Sequence, residues 1–393
     1  MKIFYLTPRV PYPIDKGDKL RAYYQIKYLS EEHEIFLFAL DENCTYSSEN
    51  NPLKNLCGKV EVISLSKFDE VKNLLSGMFK KIPFQTSYYY SAKTKKKIEA
   101  AINEFKPHII YCQLIRAAEF VKDIKSVPKI IDYVDVISKG LERRMAKSNM
   151  FWKLVFKIEY QRACTYEKEV FESFDKGIII TKEDRNSLLF AGKDKVMVVP
   201  NGIDTEFFVP VESEKKYDLF FSGNLSYPPN VDAAKFIAHE ILPNLKKVYP
   251  SIKILIAGAS PKKEVLELAA ENIEVKGWVD DIREYYSQTK IFLAPMQIGT
   301  GLQNKILQAM AMKIPCVVSE LTLKGIANGE NDVALVAKTP HEYVYSIIKL
   351  LTDKEYYISI AQHGYDFVNK KYSWKEIIDN LKTILEDAAK NKN

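Results

Sequence analysis

Short apolar runs alternate with helical patterns along the whole chain. Runs rich in Ile, Val, Leu, Phe and Tyr predict strands at Lys2–Thr7, Glu34–Ala39, Val60–Leu65, Ile109–Cys112, Ile130–Val134 and Gly177–Ile180. Helical periodicity separates most of them, the longest stretch running from about Ser138 to Phe174. The series then restarts with Asp218–Ser222, Ile252–Ala257, Ile273–Lys276, Ile291–Ala294, Cys316–Ser319 and Val333–Val336. A repeating strand–helix–strand order implies parallel sheets covered by helices, and two series imply two doubly wound, Rossmann-like α/β domains. The join is expected near Val196–Asp204, VMVVPNGID, where Pro200 and Gly202 punctuate the chain. Residues 1–195 then form the first domain and 196–370 the second, while 371–393 hold a last helix, about Trp374–Ala389, that packs back on the first. Two open α/β sheets set side by side would face a central cleft, with ligands at the carboxyl ends of the strands.

Composition agrees with that outline. A chain of 393 residues exceeds what one hydrophobic core usually supports, and 47% hydrophobic with 27% charged residues is ordinary for a globular enzyme. Five scattered cysteines (Cys44, Cys57, Cys112, Cys164, Cys316) show no metal-ligand spacing and read as free thiols in a reducing compartment. The opening MKIFYLTPRVPYP carries too short an apolar run for a signal peptide, and no stretch approaches the length of a membrane span. A cytoplasmic protein is expected, either free or at the cytosolic face of a membrane. Charge is uneven: residues 1–200 hold 34 Lys+Arg against 26 Asp+Glu, net +8, which leaves 23 against 25, net −2, for the remainder. Eight lysines fall between Lys67 and Lys97 among Phe68, Phe79, Phe84 and Tyr88 to Tyr90. That stretch is either a surface for anionic lipid or a solvated helical face. The surplus is modest for nucleic acid, and no binding motif for it is present.

Candidate chemistry concentrates in Ala294–Ser319, APMQIGTGLQNKILQAMAMKIPCVVS. It reads as a strand end, a glycine-bearing loop (Gly299, Gly301), a helix from about Gln303 to Lys313 and a further strand. Such a loop presents unpaired N–H groups and the positive end of the helix dipole to one point, which suits a phosphate. Lys305, in the first turn, adds a full charge. Gln308 lies on the same face, about 4.5 Å further along the axis. A diphosphate with a polar appendage fits this arrangement; an ordinary strand–helix turn with a surface lysine is the plain alternative.

Further motifs carry a resemblance. VVPNGIDTEFF, FSGNLSYPPNVDAAKFIAHEILPNL, LIAGASP, VKGWVDDIREYY, GLQNKILQAMAMKIPCVVS and KKYSW resemble glycosyltransferase family 4 in order and spacing. The start, YLTPRVPYPIDKGDKLRAYYQIKYLS, together with GLQNK, is similar to sugar transferases associated with PEP-CTERM and exopolysaccharide systems. The resemblance implies a GT-B fold, a nucleotide-diphospho-sugar donor in the C-terminal domain, an acceptor in the N-terminal domain, and retention of anomeric configuration without a metal or other cofactor. By the same resemblance Lys305 and the loop of Gly299, Thr300, Gly301 and Leu302, with Gln303, hold the diphosphate. Gly223 approaches a phosphate oxygen, Gly277, Trp278 and Val279 line the base, and Gln308 meets the ribose. Gly17 and Asp18 fall in the loop where donor and acceptor sugars meet. Asp132 and Asp135, in IIDYVDVIS, are the candidates for lining the sugar pocket beside Lys305 as the catalytic set; the plain alternative is that one of them caps the following helix.

The chain departs from the family pattern in three places. Thr300 and Gln308 stand where many relatives have glutamates, GNLSYPPN supplies neither of the usual Arg and Lys, and Lys313 replaces a glycine. A transferase acting on a glycan or polyprenyl-diphosphate-linked acceptor in exopolysaccharide, capsule or lipopolysaccharide assembly is the expectation. A non-catalytic GT-B subunit that binds a sugar nucleotide or a partner enzyme is the alternative, and a GT-B epimerase a more distant one.

Overall fold

The structure is a computed structural model; it describes residues 1–41, 51–64, 73, 82–146, 148–298, 303–326 and 332–390. Contact density divides the chain into two units, Met1–Asn201 with Ile377–Asn393, and Gly202–Glu376.

The first unit is built on seven strands: β1 (Lys2–Thr7), β2 (Glu34–Asp41), β3 (Lys59–Ser64), β4 (Ile109–Gln113), β5 (Lys129–Asp132), β6 (Lys176–Ile179) and β7 (Met197–Val198). They form one sheet in the order β3-β2-β1-β4-β5-β6-β7, and every pairing is parallel. β1 and β4 are central, which is why KIFYLT and IIYCQ are buried almost end to end instead of alternating. The core holds Phe4, Phe36, Phe38, Ile98, Phe120, Tyr166 and Val170.

The long helical pattern at 138–174 is not one helix. It divides into Ile137–Ala146 and Met150–Ser173. Ser148 Oγ donates to the Arg144 carbonyl at 2.7 Å, and the Asn149 side chain accepts from Trp152 N–H, a cap that starts a new helix. The second helix turns Glu159, Ala163, Tyr166, Glu167 and Val170 inward. Its buried carboxylates are bonded: Glu159 accepts from Phe84 N–H at 2.8 Å, and Glu167 takes both the N–H and the hydroxyl of Ser138. The helix Trp374–Lys390 contributes Lys382, which pairs with Glu32, and Asp387, which pairs with Lys176.

The second unit has six strands: β8 (Tyr217–Ser222), β9 (Ile254–Ala257), β10 (Ile273–Lys276), β11 (Thr289–Ala294), β12 (Cys316–Val318) and β13 (Leu335–Val336). Their order is β10-β9-β8-β11-β12-β13, again all parallel. Hydrophobic cores lie on both faces, one around Phe221, Leu245, Ile256 and Tyr343 and the other around Phe220, Tyr286, Phe292 and Met310. Both units are therefore doubly wound α/β sheets, as the alternating pattern requires. The cysteines among the described residues, Cys57, Cys112, Cys164 and Cys316, are free thiols; Cys44 lies outside the described residues.

Candidate functional site

In the second unit the strand order reverses between β8 and β11, and such a point opens a crevice at the carboxyl ends of the strands. β8 ends at Ser222, and the chain turns through Gly223 and Asn224. Gly258, just after β9, packs backbone to backbone on that turn: a Cβ there would fall 1.7 Å from the Gly223 carbonyl oxygen. No side chain can be accommodated, because neither backbone can give.

Asn230, in the first turn of the helix Pro228–Phe236, ties this turn to Lys305. Its Nδ2 donates to the Asn224 carbonyl at 2.9 Å, and its Oδ1 accepts from Lys305 Nζ at 2.8 Å. Lys305 is the second residue of the helix Asn304–Ala311, which follows β11. Its ammonium lies 4.3 Å from the centre of the Phe221 ring and 3.5 Å from Met296 Sδ. Burial pushes its pKa down to about 7, and no carboxylate among the described residues faces it to offset the desolvation. A cation held in this state calls for an anion.

Tyr286, fully buried, places its hydroxyl 2.9 Å from the Lys305 carbonyl and 3.3 Å from Gln308 Oε1, with Ser222 Oγ at 3.3 Å. It therefore fixes the first turn of the helix and the Gln308 amide together. Gln303 precedes the helix and makes no side-chain cap. After β10, the Gly277 carbonyl accepts from Gly258 N–H at 3.2 Å and Val279 packs on the core. Trp278 is 77% exposed. Gly299, Thr300, Gly301 and Leu302 lie outside the described residues.

In the first unit the two candidate aspartates part company. Asp132, at the end of β5, is fully buried. Its carboxylate accepts from Arg21 Nε at 2.6 Å and Tyr111 hydroxyl at 2.7 Å, and its other oxygen from Val134 N–H at 3.2 Å. Arg21 is equally buried and also donates to the Pro200 carbonyl and Asn201 Oδ1. Asp132 is thus enclosed as an ion-pair anchor and has no surface to offer a sugar, which corrects its place among the catalytic candidates. Val134 adopts φ 62°, a left-handed conformation that strains a β-branched residue. That twist turns the chain so that Asp135 points outward. Asp135 is an exposed residue, unlike Asp132. Desolvation by the surrounding protein raises its pKa, with Asp184 and Asp18 adding to the rise and Arg116 opposing it. The Ser138 N–H in the first turn of the following helix donates to Glu167, not to either aspartate.

Gly17 opens the helix Gly17–Leu29 and is exposed, and neighbouring Asp18 pairs with Arg9 at 2.8 Å. Gln113, at the end of β4, holds the Asp18 carbonyl at 2.9 Å. Arg9 and Arg116 line a cavity of about 350 Å³ with Phe84, Gln85, Tyr88 and Tyr89. Sequence reasoning missed Asn230, Tyr286, Phe221, Gly258 and Arg21. Only Arg21 left a trace there: with Gln25 it places two polar groups four residues apart on the inward side of a helix.

The two parallel-sheet α/β units are those of the GT-B glycosyltransferases. A structure of HepE from Anabaena in complex with UDP and glucose superposes with a TM-score of 0.65 at 15% identity, covering 98% of this chain and 100% of that one. A glycosyltransferase from Rickettsia africae gives a TM-score of 0.68 at 13% identity, with 99% of each chain covered. Residues 216–353 match the family described as glycosyl transferases group 1. The second unit therefore carries a glycosyl transferases group 1 domain, and the protein is a glycosyltransferase. Among relatives, an uncharacterized 44.6 kDa protein in the cps region of Klebsiella pneumoniae is 22% identical over 97% of this chain and 98% of its own length. The Escherichia coli UDP-Gal:alpha-D-GlcNAc-diphosphoundecaprenol alpha-1,3-galactosyltransferase is 21% identical over 68% of this chain and 72% of its own length.

Proposed function

We propose that the protein moves a sugar from a nucleotide-diphospho-sugar to a glycan acceptor carried on polyprenyl diphosphate, in the assembly of a cell-surface polysaccharide. The observation that carries this reading is the desolvated Lys305 ammonium at a helix N-terminus, held by Asn230 with no carboxylate among the described residues to neutralise it. A diphosphate supplies the missing charge. Two comparisons support the donor and acceptor classes: HepE was captured with UDP and glucose, and the Escherichia coli relative is named for a UDP-linked donor and a diphosphoundecaprenol acceptor. The Klebsiella relative's place in a cps region supports the polysaccharide setting.

In the proposed reaction the bond between the sugar C1 and the donor phosphate oxygen breaks, and a bond from the acceptor hydroxyl oxygen to C1 forms on the same face. The acceptor proton passes to the departing phosphate oxygen. Negative charge grows on the leaving diphosphate, and Lys305 with the first-turn N–H groups stabilises it without a metal ion. Gly223 and the loop 299–302 approach the phosphates, Gln303 and Gln308 the polar groups beyond them, and Gly277, Trp278 and Val279 the base. Gly17, Asp18 and Asp135 serve the sugar and acceptor from the first unit. Asp132 takes a positioning role.

The test is thermal stabilisation by nucleotide diphosphates and nucleotide sugars in the presence of EDTA, followed by a transfer assay on a glycosyl-diphospho-polyprenol. One nucleotide should raise the melting midpoint, and Lys305→Ala should abolish both the shift and turnover. Normal turnover in that variant sinks the proposed donor site.

A further inference from the structure

The helix Met150–Ser173 begins with MFWKLVFKI, and its outward face is apolar only there. Met150 is 86% exposed, Phe151 70%, Trp152 52%, Leu154 62% and Ile158 46%. Single exposed apolar residues are common on any surface, but five large ones within nine positions form a patch. At 100° per residue, Met150, Leu154, Ile158 and Phe151 fall within an arc of about 100°. Further along the same line Gln161 and Thr165 are exposed and polar. The patch therefore occupies only about the first 12 Å of the helix, at the tip where the preceding helix ends. Phe151 and Trp152 meet edge to face at 5.6 Å, so the two rings form one apolar knob.

The surroundings of the knob are basic. Residues 139–158 contain Lys139, Arg143, Arg144, Lys147, Lys153 and Lys157 against Glu142 alone, so six minus one gives net +5. Arg143, Arg144, Lys153 and Lys157 are exposed. Lysine is depleted from the centre of protein–protein interfaces, whereas aromatic and aliphatic side chains rimmed by Lys and Arg are what a helix lying at a lipid interface presents. No described helix is long and apolar enough to cross a membrane. The other basic, aromatic stretch, which the sequence offered for this role, does not present its described rings outward. Tyr89 is buried, Tyr90 stacks on Phe120, and Lys95 is paired with Asp123 at 2.6 Å; Lys67, Phe68 and Phe79 lie outside the described residues.

We propose that the tip around Met150–Ile158 docks the protein on an anionic bilayer. Phe151, Trp152 and Leu154 enter the boundary between headgroups and acyl chains, while Arg143, Arg144, Lys153 and Lys157 meet the lipid phosphates. The surface stands on exposure and charge alone; its use, access to a lipid-linked acceptor, rests on the function proposed above.

Flotation of the full chain with phosphatidylcholine vesicles, with and without about a third of phosphatidylglycerol, tests it. The wild type is expected to float with the anionic vesicles, less so as salt rises, and weakly with pure phosphatidylcholine. The variant Phe151→Ser/Trp152→Ser/Leu154→Ser and the variant Arg143→Glu/Arg144→Glu should each lose at least tenfold in apparent affinity. Trp152 emission should shift to the blue on vesicles, and that shift should vanish in Trp152→Phe. Thermal stabilisation by UDP should persist in every variant, which shows that they are folded and keeps failure of docking separate from failure of the donor site. A wild type that stays with the soluble fraction, or a triple variant that floats equally well, overturns the proposal. So does a concentration-dependent dimer abolished by the triple substitution, because the patch would then belong to a second copy.

Discussion

The Lys305 site makes a prediction whose sign is fixed before any measurement. Burial lowers the ammonium from its ordinary 10.5 to about 7. At about 1.36 kcal/mol per pH unit, that difference is on the order of 5 kcal/mol of penalty on the charged form. The folded value lies below the unfolded one, so between about pH 7 and 10 the unfolded chain binds more protons. Stability contributed by this site should rise with pH through that window, and below pH 7 the full penalty is carried. Lys305→Met should accordingly raise the melting midpoint at about pH 6, and the gain should shrink by about pH 9. Donor binding must run the opposite way. A diphosphate favours the ammonium, so binding takes up a proton, and affinity should fall by up to about tenfold per unit above pH 7. A nucleotide sugar is the right probe, because its diphosphate diester does not titrate in this range. Isothermal titration of UDP-glucose, in paired buffers of different ionisation enthalpy, reads both the affinity slope and the proton. A flat affinity from about pH 6 to 9, or a slope that survives in Lys305→Met, would refute the assignment of this lysine as the phosphate-binding cation.

The remaining predictions concern the supports of the site. Asn230→Asp should raise the Lys305 pKa by giving it a counter-charge, while weakening nucleotide-sugar binding by placing an anion beside the phosphates; calorimetric Kd values check both. Asn230→Ala should cost binding less than Lys305→Ala, because the cation remains. Gly258→Ala should prevent soluble expression or abolish nucleotide-induced stabilisation, since its Cβ meets the Gly223 carbonyl at 1.7 Å. Removing one member of the buried Arg21–Asp132 pair leaves an uncompensated charge and should cost about 3–5 kcal/mol. The double variant Arg21→Leu/Asp132→Leu should recover part of that in denaturant titrations; a loss in the double variant equal to the sum of the two single losses would show that the pair does not couple.

The architecture was legible wherever both faces of a strand are buried. Central parallel strands have to be apolar throughout, so KIFYLT and IIYC announced themselves, and the observed strands occupy Lys2–Thr7 and Ile109–Gln113. The two-residue edge strand Met197–Val198 gives no such signal and went unnoticed inside the inter-domain punctuation. The long helix misled in an informative way. Its inward face carries Glu159 and Glu167, each satisfied by bonds to a neighbouring element, and its outward tip carries Met150, Phe151 and Trp152. Partners across the fold, not periodicity, decide which carboxylates can be buried, so the sequence ran the helix through the Asn149 cap.

The same distinction separates the two halves of the candidate site. A phosphate-binding turn is made of backbone: a strand end, a tight turn and a helix start, all punctuated locally by glycine and therefore readable in order. The groups that tune it come from sequence-distant elements. Asn230 reaches Lys305 across 75 residues, Tyr286 reaches Gln308 across 22, and Arg21 reaches Asp132 across 111. No local pattern encodes those distances. This is why Asp132 and Asp135, three residues apart and alike on paper, received the same role. Burial and the left-handed Val134 between them turn one inward to Arg21 and the other outward to solvent. Val134→Gly adopts the same φ of 62° without the strain of about 1–2 kcal/mol, so it should keep the turn and leave stability unchanged or raised. The direct test of what the turn presents is Asp135→Asn: turnover should fall while nucleotide-sugar binding holds. Unchanged turnover in that variant would mean that Asp135 has no part in catalysis.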